Sequence, residues 1–421
     1  MVRLWILPVF CFFSLIVTGD EVARQNQTSR EIFAPSDQPR PEYLKAVRGE
    51  VFGQKITRVT GDPGAPVSDT NIVWSRPARH IYSMVAAWDC SDSLLAIRNA
   101  GATKIDGSGA YEWLLAIGPD YQKKIPLQTS FTEFRWRNAT PKRMLLITPH
   151  GLSDYDPLAN KTRPIPLDQS ILSLYTDIGL SSQGNLSDDD RLIALIGTHR
   201  ETGVRHALIV SLEKNEILAQ LPFDIPRLDF ATVSPKGRFL VVNGEFTKGE
   251  ADRTRVYSFD GQQIGQQWDP YGLPSHYDLT TDSEGREIAV GVAKSRAPGI
   301  DPGSLVSRDL ETGEIKLLLR GGYAMHISCR NLKLPGWAFV SYSRIDMATY
   351  PPFSNELIAV RTDGSETFRR ICQFQSESDD YWCQPQACPN FSGTRAIFAS
   401  NWRVAGNGAE AYVVETGVSL K

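Results

Sequence analysis

The sequence lacks several features that mark other classes of protein. Only six of the 421 residues are cysteine, and these cysteines do not have the spacing of zinc ligands. The formal net charge is −3 and there is no long basic run, which makes nucleic acid and anionic membrane poor partners. We find no helical apolar run of useful length outside the N-terminus. The sequence therefore indicates a globular fold built mainly from strands.

A short pattern recurs seven times along the chain. Each copy has an apolar strand, a tight turn that opens with Ser, Asp or Gly, and a second apolar strand. The second strands begin at residues 93, 143, 191, 238, 286, 336 and 395. A period of about 48 residues indicates one supersecondary unit repeated in a propeller or solenoid. With 41% hydrophobic and 10% aromatic residues, the chain can form one large all-β domain.

Each period contains four strand signals. In the fourth repeat these signals cover residues 228–233, 238–243, 255–259 and 263–268. Seven such four-stranded antiparallel sheets, arranged radially, predict a seven-bladed β-propeller. An additional strand at 55–60 precedes the first repeat, and the last repeat stops after a third strand at 411–416. We expect these two strands to pair and close the ring, because an open solenoid would leave two exposed edges.

The N-terminus has the pattern of a secretory signal peptide. Arg3 precedes an apolar run at 4–17, and Val17-Thr-Gly19 is a plausible cleavage site. The run is too short for a comfortable transmembrane helix. We therefore predict a signal peptide at 1–19, a flexible leader at 20–41 and the propeller at 42–421. The mature protein is expected to be a secreted monomer, either extracellular or periplasmic.

Five cysteines remain after the predicted cleavage, and export favours disulfide formation. We predict that Cys372 and Cys383 are bonded and that Cys90 is free. Cys329 and Cys388 are the other possible pair, because each lies seven residues before a second strand.

Most of the histidines fall at equivalent positions of the repeats. In a propeller, the start of the innermost strand and the end of the second strand lie on the same face. Five of the six histidines occupy this rim: His80, His150, His199, His276 and His326. Further polar candidates on the rim are Tyr82, Arg98, Glu133, Arg135, Asp177, Asn243, Tyr277, Asp278, Arg330, Arg344, Gln384, Asn401 and Trp402. Such a cluster is typical of a binding pocket, although inner-strand polar residues can also satisfy one another around a channel.

Histidine, tyrosine and arginine together suit β-elimination from a uronate. That reaction needs a neutralised carboxylate, a base and an acid near the leaving glycosidic oxygen. We predict His80 or His276 as the base, and Tyr82 or Tyr277 as the acid. The residues expected to neutralise the carboxylate or bind the substrate are Arg98, Arg135, His199, His326, Arg330, Arg344, Gln384, Asn401 and Trp402.

Two other functions stay open at this stage. A glycoside hydrolase would use two facing carboxylates, for which Glu133, Asp177 and Asp278 are available on the rim. A propeller without catalytic activity would bind glycans or proteins through the same face.

Several stretches resemble secreted seven-bladed polysaccharide lyases. They are residues 52–58, 79–83, 88–92, 133–136, 326–331, 335–337 and 400–402. The groups resembled are the ulvan lyases, the rhamnose–glucuronate lyases and, more remotely, oligogalacturonate lyase. The resemblance implies that the substrate is an acidic polysaccharide or oligosaccharide and that His80 corresponds to the catalytic histidine of the first blade.

The chain departs from these families at two places. Ulvan-type lyases carry a second histidine where this chain has Asn99-Ala100-Gly101. Oligogalacturonate lyase holds a metal with Gln and His residues on one blade, whereas residues 384–388 here keep two glutamines and no histidine. The resemblance therefore makes a divalent cation possible without fixing its ligands.

Overall fold

The computed structural model describes residues 19–251, 253–264, 272–342, 352–377, 380–404 and 408–419. Three sequence predictions lie outside these ranges: the signal peptide, of which only Gly19 is described, the strand end at Trp268 and the site residue Arg344. The described chain is nearly all β-structure. Its helices are α1 (Gly19–Asn26), α2 (Gln169–Leu172) and a 3₁₀ helix (Tyr381–Cys383). Among them, none is long and apolar enough to cross a membrane.

The first eight strands lead into and form the first repeat. They are β1 (Ala46–Arg48), β2 (Lys55–Arg58), β3 (Ile72–Val73), β4 (Ala78–Arg79), β5 (Leu94–Asn99), β6 (Thr103–Lys104), β7 (Trp113–Ile117) and β8 (Lys123–Pro126). Strands β3 and β6 form a separate two-stranded sheet.

Five four-stranded antiparallel sheets follow, one for each repeat from the second to the sixth. Sheet 2 contains β9 (Glu133–Trp136), β10 (Met144–Thr148), β11 (Gly151–Asp156) and β12 (Lys161–Pro164). Sheet 3 contains β13 (Tyr175–Gly179), β14 (Leu192–His199), β15 (Arg205–Ser211) and β16 (Glu216–Phe223). Sheet 4 contains β17 (Arg227–Val233), β18 (Leu240–Glu245), β19 (Arg253–Tyr257) and β20 (Gln263–Ile264).

The last two of these sheets and the C-terminal strands complete the order. Sheet 5 contains β21 (Ser275–Thr281), β22 (Glu287–Val292), β23 (Leu305–Asp309) and β24 (Ile315–Leu319). Sheet 6 contains β25 (Ala324–Ser328), β26 (Trp337–Tyr342), β27 (Glu356–Arg361) and β28 (Phe368–Gln373). The seventh repeat supplies β29 (Cys388–Pro389), β30 (Arg395–Ser400) and β31 (Glu410–Glu415).

The first and seventh repeats share a nine-stranded sheet. On one side, β31 pairs with β2 in antiparallel register, with Ile56 opposite Val414 and Arg58 opposite Tyr412. At the start of β31, a single parallel bridge from Glu410 to Ala78 joins this strand to β4. The predicted pairing of the N-terminal strand with the last strand is therefore present, and β2 supplies the fourth strand that the seventh repeat lacks.

The turn between the first two strands is fixed by its opening side chain. In the fourth repeat, Ser234 Oγ accepts hydrogen bonds from the backbone N–H groups of Arg238 and Phe239, at 3.1 and 3.0 Å. Gly237 in this turn has φ of 67°, and a Cβ there would lie 2.8 Å from the side chain of Leu192. Asp89 accepts from the backbone N–H of Leu94 in the same way, at 2.7 Å. Short polar residues at these positions therefore produce the repeating turn seen in the sequence.

Apolar side chains pack between successive repeats. Every pair of neighbouring repeats, including the seventh and the first, contributes to a common buried cluster. Cluster members from the two partners are Leu115 with Leu146, Leu145 with Leu195, Ile209 with Leu240, Val241 with Ala289, Val290 with Val340, Leu357 with Phe398, and Ile397 with Leu95. The core thus lies between the sheets and forms a propeller-like architecture.

The segment predicted to be a flexible leader, residues 20–41, is in contact with the sixth and seventh repeats. The guanidinium of Arg370 donates to the carbonyl of Glu31 at 2.6 Å. The indole Nε1–H of Trp402 donates to the carbonyl of Gln38 at 3.0 Å. These two contacts hold the segment against the sixth and seventh repeats.

The predicted disulfide between Cys372 and Cys383 is wrong. All five cysteines of the described chain are buried thiols. Cys372 packs in the cluster between the sixth and seventh repeats, whereas Cys383 packs with Ala399 and Ala409 in a separate cluster. The sequence placed both residues near the same loop but carried no information about these different clusters.

Candidate active site

The innermost strands of sheets 3 to 6 are irregular at equivalent places. Pairing shifts occur between Thr176 and Gly179, between Leu228 and Phe230, between Ser275 and Asp278, and between Ala324 and His326. Such bulges bend a strand and change the direction of a side chain. They contain Asp229, His276 and Met325.

His276 occupies the bulge of β21 with φ of 47°, which is uncommon for a residue with a side chain. Its Nδ1 lies 3.0 Å from the carbonyl oxygen of Met325, and its Nε2 lies 3.0 Å from Nζ of Lys294. Because a carbonyl oxygen can only accept, Nδ1 carries the proton. The lone pair of Nε2 therefore faces the ammonium group of Lys294.

The electrostatics of this pair favour a neutral imidazole. Desolvation, followed by the positive charge of Lys294, lowers the pKa of His276 below its ordinary 6.5, and the hydrogen bond to Met325 only partly opposes this shift. A neutral imidazole near pH 7 has a lone pair available to accept a proton.

A pocket of about 320 Å³ lies beside this pair. Small-molecule sites range from about 300 to 1,000 Å³, so the pocket is large enough for a small ligand. Four repeats contribute to its wall. The polar lining residues are Tyr82, Gln183, Asp229, Asn243, Thr254, Ser275, His276, Tyr277 and Lys294.

Tyr82 lies next to two stacked histidines, the buried His326 and the exposed His276. Its ring lies edge-on to His326, with centroids 5.5 Å apart, and His326 stacks on His276 at 5.8 Å. Desolvation raises the pKa of the Tyr82 hydroxyl, and neighbouring Tyr381 and Asp229 add to the increase. The hydroxyl therefore stays protonated at neutral pH and can act as a proton donor.

His80, one of the two predicted bases, is buried and is not part of the pocket lining. Its Nε2 lies 2.6 Å from the carbonyl oxygen of Gln386, and its Nδ1 has no hydrogen-bond partner. Burial and the charge of Arg79 lower the pKa of His80 to about 3. The same Arg79 donates to Gln386 Oε1 at 2.6 Å. The structure thus places His80 and Arg79 against the seventh repeat rather than in the cavity.

Tyr277, the other predicted acid, lines the pocket from a buried position. Its hydroxyl oxygen accepts a hydrogen bond from Thr254 Oγ1 at 3.1 Å, and desolvation raises its pKa. Tyr82 is more exposed and lies next to the stacked histidines. Of the two tyrosines, Tyr82 has the better access to a ligand.

The predicted arginines of the described chain are all bound elsewhere. Arg330 is buried and donates to both carboxylate oxygens of Asp278, at 2.9 and 2.8 Å. Arg135 donates to the carbonyl of Gly184 at 2.7 Å, and burial lowers its pKa to about 10. Arg98 forms an ion pair with Glu112 at 3.3 Å. None of these three arginines lines the pocket.

The remaining predicted binding residues also lie outside the pocket lining. His199 stacks on His206, with ring centroids 5.4 Å apart. The side-chain oxygen of Asn401 accepts a hydrogen bond from the backbone N–H of Glu377 at 3.2 Å. Trp402 is 4% exposed because the N-terminal segment covers it, and its indole is bonded to that segment. The carbonyl of Gln384 accepts from Arg79 at 3.2 Å.

The three carboxylates expected of a hydrolase are not gathered in the pocket. Glu133 accepts from the backbone N–H groups of Leu180 and Ser182, at 2.7 and 3.0 Å. Asp278 is paired with Arg330, and Asp177 is not among the lining residues. The pocket wall contains a different carboxylate, Asp229.

Sequence reasoning missed Lys294, Asp229 and Gln183. Lys294 follows the end of β22, and Asp229 lies near the start of β17. Both positions belong to the rim, where the start of the innermost strand meets the end of the second strand, so the repeat pattern carries a signal for both residues. Gln183 lies in a loop after β13, where the strand pattern carries no signal.

The structure therefore defines a propeller-like all-β protein with a polar pocket whose wall comes from four repeats. An oligogalacturonate lyase in complex with manganese has a similar fold, with a TM-score of 0.60 and 13% identity over 90% of this chain and 97% of that chain. The oligogalacturonate lyase from Vibrio parahaemolyticus gives a TM-score of 0.58 and 12% identity over 88% of this chain and 96% of that one. At these identities the likeness shows the fold. Neither the comparison with family models nor that with curated sequences gives a match.

Proposed function

We propose that the protein is a secreted lyase that cleaves a uronic-acid-containing oligosaccharide or polysaccharide by β-elimination. The main observation behind the proposal is the neutral His276 Nε2, which lies 3.0 Å from the Lys294 ammonium in a pocket that also contains Tyr82. The similarity in fold to two oligogalacturonate lyases supports an acidic oligosaccharide as the substrate class.

The proposal includes a closed ring of seven blades. Tyr82 belongs to the first repeat and Asp229 to the fourth, and yet both line one pocket. Residues from opposite parts of the chain come together in this way at the axis of a ring. The pairing of β2 with β31 and the cluster shared by the seventh and first repeats support the same arrangement.

Each chemical task has a residue in the pocket. Lys294 pairs with the uronate carboxylate and so stabilises the negative charge that develops when the neighbouring C5–H bond breaks. When Lys294 binds the carboxylate, Nε2 of His276 is released to accept the C5 proton. The hydroxyl of Tyr82 donates its proton to the leaving glycosidic oxygen as the C4–O bond breaks. The product carries a C4–C5 double bond, and no water is consumed.

The hydrolase alternative has less support from the pocket. A glycosidase needs two carboxyl groups on either side of the scissile bond. Asp229 is the only carboxylate among the described residues that line the cavity. The arrangement of a base, a cation and a hydroxyl favours elimination.

The related structure with manganese raises the question of a metal. Among the described residues, no group of three or more His, Cys, Asp or Glu side chains is placed to hold a metal ion. Nε2 of His276 faces an ammonium group at 3.0 Å, and Nδ1 is bonded to Met325, so neither nitrogen suits a divalent cation. These residues do not fit a metal, and the proposed reaction uses the charge of Lys294 instead.

The proposal is tested by incubating the protein with a panel of uronate oligosaccharides and polysaccharides. We expect ultraviolet absorbance from unsaturated uronate to rise with at least one substrate. His276→Ala should lose about 10²–10⁴ in rate, the usual contribution of a general base. His150→Ala is the control, because His150 is an exposed histidine outside the pocket lining. If no substrate gives unsaturated product, or if both variants keep full activity, the proposal is wrong.

A further inference from the structure

The 3₁₀ helix Tyr381–Cys383 presents two aromatic side chains to solvent. Tyr381 and Trp382 are each 48% exposed, and their rings lie edge to face with centroids 5.6 Å apart. Trp382 is the only exposed tryptophan of the described chain. An exposed pair of this kind is unusual in a protein whose other large aromatic side chains are mostly buried.

The backbone beneath the two rings is firmly held. Asp380 accepts from the N–H of Trp382 at 3.0 Å, and Ser376 Oγ donates to the carbonyl of Cys383 at 2.8 Å. The buried guanidinium of Arg79 donates to the carbonyl of Trp382 and, at 3.2 Å, to that of Gln384. These hydrogen bonds thus fix the backbone that carries the aromatic pair.

The aromatic pair continues the wall of the pocket. Tyr82 lines the cavity, and Arg79, three residues before Tyr82, donates to the carbonyl of Trp382. Tyr381 also helps to raise the pKa of the Tyr82 hydroxyl. Trp382 in turn contacts Tyr381. A ligand that leaves the pocket on the side of Tyr82 therefore meets these two rings next.

We infer that Tyr381 and Trp382 form a sugar-binding subsite for the residue on the leaving-group side of the scissile bond. This inference rests on the proposed function, in which Tyr82 protonates the leaving oxygen, because that oxygen belongs to the sugar nearest Tyr82. Pyranose rings have apolar C–H faces that pack on aromatic rings, and tyrosine and tryptophan supply large contact areas with little loss of side-chain entropy. The subsite therefore binds a pyranose through its C–H face, whether or not that sugar carries a charge.

The subsite is tested with oligosaccharides of increasing length. Trp382→Ala should raise KM about tenfold for substrates that extend on the leaving-group side, with kcat unchanged, because the contact is equally strong in the ground state and the transition state. Trp382→Phe should restore most of the affinity. Tyr111→Ala is the matched control, since Tyr111 is also 48% exposed but is not among the residues that line the pocket. A KM equal to that of the wild type, or an equal rise for every substrate length, would overturn the inference.

A binding measurement separates this inference from the proposed function. In the His276→Ala background, calorimetry with the same oligosaccharides reports affinity without turnover. If the wild type turns over no uronate but Trp382→Ala still weakens binding of the longer ligands, the subsite stands and the lyase proposal fails. If turnover occurs and Trp382→Ala changes neither KM nor affinity, the subsite fails alone.

Discussion

The carbonyl oxygen of Met325 lies 3.0 Å from Nδ1 of His276, and this contact joins two strand bulges in adjacent sheets. The bulge of sheet 5 turns the imidazole toward the pocket, and the bulge of sheet 6 supplies the carbonyl that fixes its tautomer. The proton acceptor thus depends on irregularities at equivalent positions of two repeats. A regular strand would instead keep its side chains alternating between the two faces of the sheet.

Replacement of Lys294 should raise the pKa of His276. The ammonium group helps to lower this pKa, so Lys294→Met is expected to move it toward the ordinary value of 6.5. The measurement is a titration of the imidazole ring protons by NMR. Lys294→Arg keeps the charge and serves as the control. If the pKa of His276 is the same in Lys294→Met and the wild type, the charge of Lys294 does not act on this imidazole.

Buried histidines should make the fold sensitive to acid. Burial lowers the pKa of both His80 and His326 to about 3, well below the ordinary 6.5. Between pH 6.5 and 3 the unfolded chain binds protons that the folded chain does not. The contribution of these histidines to the free energy of unfolding is therefore fully present above pH 6.5 and is lost as the pH falls toward 3. Each histidine contributes a slope of up to about 1.4 kcal/mol per pH unit.

The double variant His80→Gln, His326→Gln isolates this effect. Urea unfolding at several pH values should show a smaller loss of stability below pH 6.5 than in the wild type. His150→Gln, at an exposed position, should keep the wild-type slope. Equal slopes in the double variant and the wild type would contradict the account.

Removal of the N-terminal strand should abolish cooperative folding. A chain that starts at Gly61 lacks β2 and exposes the edge of β31, and it also loses the contacts of the leader with Arg370 and Trp402. Thermal unfolding followed by circular dichroism should lose its sharp transition. A chain that starts at Gln27 lacks only α1 of the described elements and should keep the transition. If both truncated chains melt like the full protein, the strand is not needed for closure.

The repeat and its closing strand could be predicted from the sequence, because both depend on local patterns. Strand and turn signals recur at a nearly constant period. The chain also has one unpaired strand near each end, which suggests that these two strands pair with each other. The bulges could not be predicted, since a single extra residue on an inner strand leaves the apolar pattern almost unchanged. This explains why the rim position of His276 was predicted while its contact with Met325 was not.

The site was only partly predictable, because the missing information concerns contacts between repeats. Arg330 has the charge expected of a carboxylate-binding residue, but Asp278 of the neighbouring sheet neutralises it. Trp402 is covered by a segment that the composition predicted to be flexible. Lys294 contacts His276, which lies 18 residues earlier in the chain. Each of these outcomes depends on residues far apart in the sequence.

The most direct test of the lyase proposal is the origin of the oxygen atoms in the product. The reaction is run in water enriched in oxygen-18, and the products of a uronate oligosaccharide are examined by mass spectrometry. Elimination predicts an unsaturated uronate and a leaving sugar, neither of which carries the label at the cleaved bond. It also predicts that His276→Ala forms both products much more slowly than the wild type. A saturated product that carries one labelled oxygen would show hydrolysis and would contradict the account.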